Sequence, residues 1–143
     1  MSLNQLLREA NIAWHCIHLG EPDWRPCSHS LAFSAELRRE RLLLHLILNA
    51  YWEPLDYELP AVSGREQDPW RRWIDTAFEC PNDIVEWQAA PYVPGYLYRA
   101  QARSVVALFA STATNEFTIK LNTRRALWFS MSLFPLIVGQ PTR

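Results

Sequence analysis

Leu42 to Pro60 reads LLLHLILNAYWEPLDYELP, and a period of two runs through both of its halves. Leu42, Leu44, Leu46, Leu48, Ala50 and Trp52 fall on one face of an extended chain. Leu43, His45, Ile47, Asn49 and Tyr51 fall on the other. Beyond Glu53-Pro54, Leu55, Tyr57 and Leu59 alternate with Asp56 and Glu58. Successive side chains of a strand point to opposite faces, so the stretch predicts two strands. Pro54 lacks a backbone donor and suits the break between them. The first strand is apolar on both faces and is expected at the middle of a sheet. The second is expected to be half-wet. Trp52, on the uniformly apolar face, is expected in the core.

Upstream, Ser30 to Leu37 alternates, with Leu31, Phe33, Ala35 and Leu37 on one side and Ser30, Ser34 and Glu36 on a wet side. Arg38 to Arg41 reads as a solvated hairpin tip joining it to the central strand. Ile12 to Leu19 is a short, bulky strand, followed by turn chemistry at Gly20 to Asp23. Ser2 to Ala10 predicts a short helix, with Ser2 as cap and Leu3, Leu6 and Leu7 as an apolar stripe. Downstream, Ala61 to Pro69 is a loop and Trp70 to Thr76 a strand. Glu79 to Pro94 is mostly loop, and Tyr96 to Ala110 is extended again. Seven or so short strands with turns between them indicate an antiparallel β-sandwich. The domain expected from this is 12–110, preceded by a helical segment, 1–11, and followed by an atypical tail, 111–143.

That tail opens on a small, polar, linker-like stretch, Ser111 to Asn115. Its apolar run, Ala126 to Phe134, is shorter than the ~20 residues a spanning helix needs. The whole chain of 143 residues fits one main domain. A net charge of −1 offers no electrostatic case for nucleic acid or an anionic membrane. Three cysteines, Cys16, Cys27 and Cys80, are an odd and sparse set, which points to free thiols in a reducing compartment. The N-terminus carries no signal pattern, so a cytoplasmic protein is expected.

Chemical constellations are weak. Asp56 and Glu58 share a side of one strand at a spacing two glycosidase carboxylates could use, but alternation alone explains them as a wet face. His15 and His18 bracket Cys16 yet point to opposite faces, and no CxxC or HExxH pattern exists, so no metal and no cofactor are expected. Ser28 and His29 face apart in the same way and support no hydrolytic triad. The seven tryptophans are the richer signal. Trp14 and Trp73 are expected in the core with Trp52. Trp24 and Trp87 sit in loop-like segments near prolines and are the candidates for a surface that meets either another domain or a sugar ring.

The chain also resembles the end of bacterial glycogen debranching enzymes of the isoamylase type, in the α-amylase superfamily. The resemblance rests on Ser2-Leu3-Asn4, Leu6 to Ala10, Trp14-His15, Leu19-Gly20, Pro22-Asp23-Trp24 and Ser28 to Phe33. It continues through Asn49 to Leu55 and Tyr57 to Pro60, then Trp70-Arg71-Arg72, Ile74-Asp75-Thr76, Tyr98-Arg99 and Arg103 to Val106. It covers residues 2 to 110. It implies a C-terminal β-sandwich that braces a catalytic barrel, with branched α-glucan as a further partner. The family's Asp nucleophile, Glu acid/base and supporting Asp belong to that barrel, upstream of everything matched, so no residue here is expected to be catalytic. Cys16 replaces the small residue the family pattern has after Trp-His, and residues beyond Ala110 match nothing in it. The alternatives are an independent α-glucan-binding module and a non-functional gene remnant.

Overall fold

The computed structural model describes residues 10–62 and 69–112, all within one compact unit, Met1–Ala113. The helix expected over Ser2 to Ala10 lies, but for its last residue, outside the described residues, and so does the tail beyond residue 112.

Seven strands form among the described residues: β1 (Asn11–His15), β2 (Ser30–Leu37), β3 (Leu42–Asn49), β4 (Leu55–Glu58), β5 (Arg71–Asp75), β6 (Leu97–Ala100) and β7 (Ser104–Ser111). Every pairing is antiparallel. One sheet has five strands in the order β1-β2-β3-β7-β5, and β4 pairs with β6 in a second. The fold is all-β in the described residues, and β3 stands at the middle of the larger sheet, as its two apolar faces predict. The β2–β3 hairpin turns at Arg38–Arg41, where Arg41 takes a φ of 52° and bonds back to Arg38 O at 3.3 Å.

One core cluster draws on both sheets. Ala32, Ile47, Val106, Leu108 and Ala110 come from the larger, Tyr57 and Ala100 from the smaller, and Leu59, Val62, Trp70 and Val93 from the connections. This defines the inner face of the five-stranded sheet. The alternation expected in β4 holds: Tyr57 and Leu59 are buried while Asp56 is exposed.

The facing of β3 is the reverse of the expected one, while β2 buries residues on both sides, Ala35 and Leu37 on the side expected to be apolar and Ala32 and Ser34 on the other. The inner face of β3 carries His45, Ile47 and Asn49, all buried, and the inner face of β2 carries Ala32 and the buried Ser34. The wet side assigned to Ser34 is therefore a core side. The all-leucine face of β3 points away, and Leu48 on it is 36% exposed. Trp52 is not core either: β3 ends at Asn49, so alternation no longer governs Trp52, which is 62% exposed. The physical reason is partnership. Polar groups tolerate burial once hydrogen-bonded, and His45, Asn49 and Ser34 all find partners inside. Trp14 also leaves the core, at 43% exposed on an edge strand, and Trp73 is half-buried. Among the described residues the fully buried indole is Trp70, whose Nε1–H donates to Pro60 O at 3.0 Å.

The strand expected over Ile12 to Leu19 stops at His15. Gly20 adopts a φ of 74°, which suits a residue without a Cβ, and its N–H donates to His15 Nδ1 at 2.8 Å. The chain bends here to reach the second sheet, where Glu58 N–H donates to Ile17 O at 3.0 Å.

Candidate functional site

The outer face of the five-stranded sheet is apolar across β1, β2 and β3, with Ser111 of β7 and Arg71 of β5 as its polar members toward the other edge. Its rows follow from the register: Leu31, Leu48 and Val105 form one, and Trp14, Phe33, Leu46 and Ala107 the next. Part of the face is covered by the chain itself. Trp87 stacks on Phe109 with ring centroids 3.6 Å apart and meets Trp73 edge-on at 5.2 Å, so it seals the β5–β7 side. The rest is open. Ile12, Trp14, Leu48 and Val105 remain at least a third exposed, which leaves an apolar strip along β1 and across one end of the sheet.

Two adjoining hollows run along that end. One, of about 320 Å³, is lined by Asp23, Trp24, Arg25, His29, Leu31, Leu48 and Ala50 among others. The other, of about 290 Å³, continues past Leu48 and Ala50 to Arg103 and Val105. Trp24 stands 64% exposed, edge-on to Trp14 at 5.5 Å. Trp52 stacks on Tyr51 at 4.0 Å near the His29 ring. Arg25 grips Asp23 with two bonds of 2.8 Å, and this holds the Asp23 pKa down to about 2.

Of the two tryptophans singled out from sequence, Trp24 is a surface group on this strip and Trp87 is a half-buried cover over Phe109. The structure does not bring them together. Trp14, expected inside, meets Trp24 instead, and Trp52 lies exposed beside Tyr51 and His29.

The other candidates resolve into structural pairs. Asp56 pairs with Arg99 at 3.2 Å across β4–β6. Glu58 accepts from His18 at 2.9 Å and from Leu19 N–H at 3.1 Å, which lowers its pKa and raises that of His18. Asp75 accepts from Ala77 N–H at 3.0 Å, the strand-end role its position predicts, and from the Tyr98 hydroxyl at 2.6 Å. Burial and that carboxylate push the Tyr98 pKa up. The cysteines Cys16, Cys27 and Cys80 are free, and among the described residues no cluster could hold a metal ion. Among the described residues no helix is long and apolar enough to cross a membrane.

Sequence reasoning missed a buried chain of polar groups. Gly20 N–H occupies His15 Nδ1, which makes Nε2 the protonated nitrogen and the donor to Ser34 Oγ at 2.9 Å. The Ser34 hydroxyl then donates to His45 Nδ1 at 3.0 Å. His45 Nε2 is left buried with no hydrogen-bond partner, its ring 5.8 Å from that of Trp70. The signal was present as polar residues on the inner faces of β1, β2 and β3. Burial, then the nearby His15, pull the His45 pKa from 6.5 down to about 3.

Because the folded value lies below the unfolded one, the stability of the neutral imidazole is complete above pH 6.5 and is lost as pH falls from there toward 3. Urea midpoints should thus drop between pH 7.5 and 5, with a slope approaching ~1.4 kcal/mol per pH unit for His45 below pH ~6. His45→Gln should flatten that slope. A wild-type midpoint unchanged down to pH 5 would contradict the neutral, buried assignment.

No model of a known protein family matches this chain, and no curated protein matches it.

Proposed function

We propose that this chain is the non-catalytic C-terminal β-sandwich of a glycogen debranching enzyme of the isoamylase type, and that its open apolar strip seats against the catalytic barrel. The observation that carries this reading is the strip of Ile12, Trp14, Trp24, Leu48 and Val105, exposed on a sheet face that continues into buried Ala107 and Phe109. An antiparallel sheet facing water alternates to polar residues on that side. An apolar face of this kind marks an interface. The sandwich is supported by the single core cluster shared by the two sheets. The pairing of Asp56 with Arg99 and of Glu58 with His18 supports a chain without glycosidase carboxylates of its own. Three free thiols support a reducing, cytoplasmic setting.

A second reading, an independent α-glucan-binding module, is favoured by one observation. Trp24 offers an exposed indole beside a hollow with Asp23, Arg25 and His29 at hand, the combination that stacks and hydrogen-bonds a sugar ring.

The test mixes the purified chain with a debranching-enzyme barrel lacking its own C-terminal region. A stoichiometric complex, weakened by Leu48→Asp, is expected, with restored release of reducing ends from pullulan and none from the chain alone. Absence of a complex would contradict the proposal. Retention of the chain alone on glycogen, lost in Trp24→Ala, would favour the second reading.

A further inference from the structure

We propose that β1 is a self-pairing edge, through which two copies of this chain join their five-stranded sheets about a two-fold axis at Ala13. Among the described residues, β1 pairs with β2 along one side only. Among the described residues, no backbone group of residues 11–14 bonds to anything on its other side. The opposite edge is dressed. Beside β5, Arg72 N–H donates to Pro91 O, Asp75 N–H to Asp83 O and Val85 N–H to Trp73 O, and Tyr92 and Ile84 form bridges.

Soluble proteins guard an open edge with lysine, proline, a bulge or a covering loop. Asn-Ile-Ala-Trp-His contains no charge and no proline, its register with β2 runs without a shift, and four of its five residues are exposed. Among the described residues, nothing guards this edge against a further strand.

The pattern of the strand says which strand fits. Polar, apolar, small, apolar, polar reads the same in both directions. Antiparallel pairing centred on Ala13 sets Asn11 against the partner's His15, Ile12 against the partner's Trp14, and Ala13 against itself. A slip of two residues in either direction loses pairs at both ends. Each two-fold contact therefore repeats an aromatic ring against a β-branched side chain, a favourable cross-strand pair, in an isologous interface. The indole is already held for it, edge-on to Trp24 at 5.5 Å and 5.2 Å from the Phe33 ring. With no charge in the strand, nothing repels a second copy and nothing selects a charged foreign strand. The joined sheet also carries the apolar strips of both copies on one side.

The experiment is sedimentation velocity of the full chain over a wide concentration range, with amide hydrogen exchange of residues 11–15 in dilute and concentrated samples. A dimer is expected, with exchange at these amides slowing as it forms. Trp14→Lys should weaken it about tenfold or more while Leu48→Lys, on the strip but away from the edge, should not. Ile12→Lys gives the same reading if Trp14→Lys loses its far-UV circular dichroism. A chain that stays monomeric, a dimer that leaves these amides unprotected, or one dissolved by Leu48→Lys and untouched by either edge lysine overturns the proposal.

Discussion

Trp70→Ala is expected to destabilise the fold by ~3–5 kcal/mol, the range for truncating a large aromatic in a packed core. The indole is 1% exposed, sits in the cluster shared by both sheets, and closes its one polar atom on Pro60 O at 3.0 Å. The substitution removes the ring and leaves that carbonyl without its donor. Trp52→Ala should cost under ~1 kcal/mol, since that side chain is 62% exposed and touches mainly Tyr51. The urea midpoints of the two variants, read by far-UV circular dichroism, measure the difference. Equal midpoints, or a larger loss at Trp52, would contradict the facing of the sheet described above.

The second large effect is at Asn49, where truncation to Ala should cost roughly 2–4 kcal/mol. Its amide nitrogen lies 3.1 Å from Glu53 O, 3.3 Å from Ala100 O and 2.9 Å from Gln101 O, and its oxygen accepts Tyr51 N–H at 3.1 Å. One buried side chain thus ties the end of β3 to the end of β6 and to the turn before β7. Asn49→Asp, which turns the donor into an acceptor facing three carbonyls, should cost more than Asn49→Ala. The same urea series checks both. A near-neutral Asn49→Ala, or an aspartate variant more stable than the alanine one, would contradict this account of the joint.

How far these residues could be read from sequence depends on which physical signal each carries. Period-two alternation located β2, β3 and β4 within a few residues, because it survives whichever way a strand faces. Facing itself was not legible in β3, since both sides are apolar and hydropathy favours the all-leucine side. What decided it was the satisfaction of His45, Asn49 and Ser34 by partners far away in sequence, His15 and the carbonyls of Ala100 and Gln101. Trp24 was legible as a surface group from its turn-rich neighbourhood. Trp87 was half legible: a loop residue, but one that folds back onto Phe109, a contact no local pattern encodes. Trp14 misled because an apolar strand was equated with a buried one, whereas β1 is an edge strand with four of its five residues exposed.

The most direct test of the docking reading is oxidative labelling of the indoles, read by peptide mass spectrometry, with and without the debranching-enzyme barrel. It is carried out at dilutions where the chain is monomeric. Alone, Trp14, Trp24 and Trp52 should label readily and Trp70 should not. With saturating barrel, Trp14 and Trp24 should become protected while Trp70 stays unlabelled. Unchanged labelling of Trp14 and Trp24 in the presence of the barrel would contradict the claim that this apolar strip is its seat.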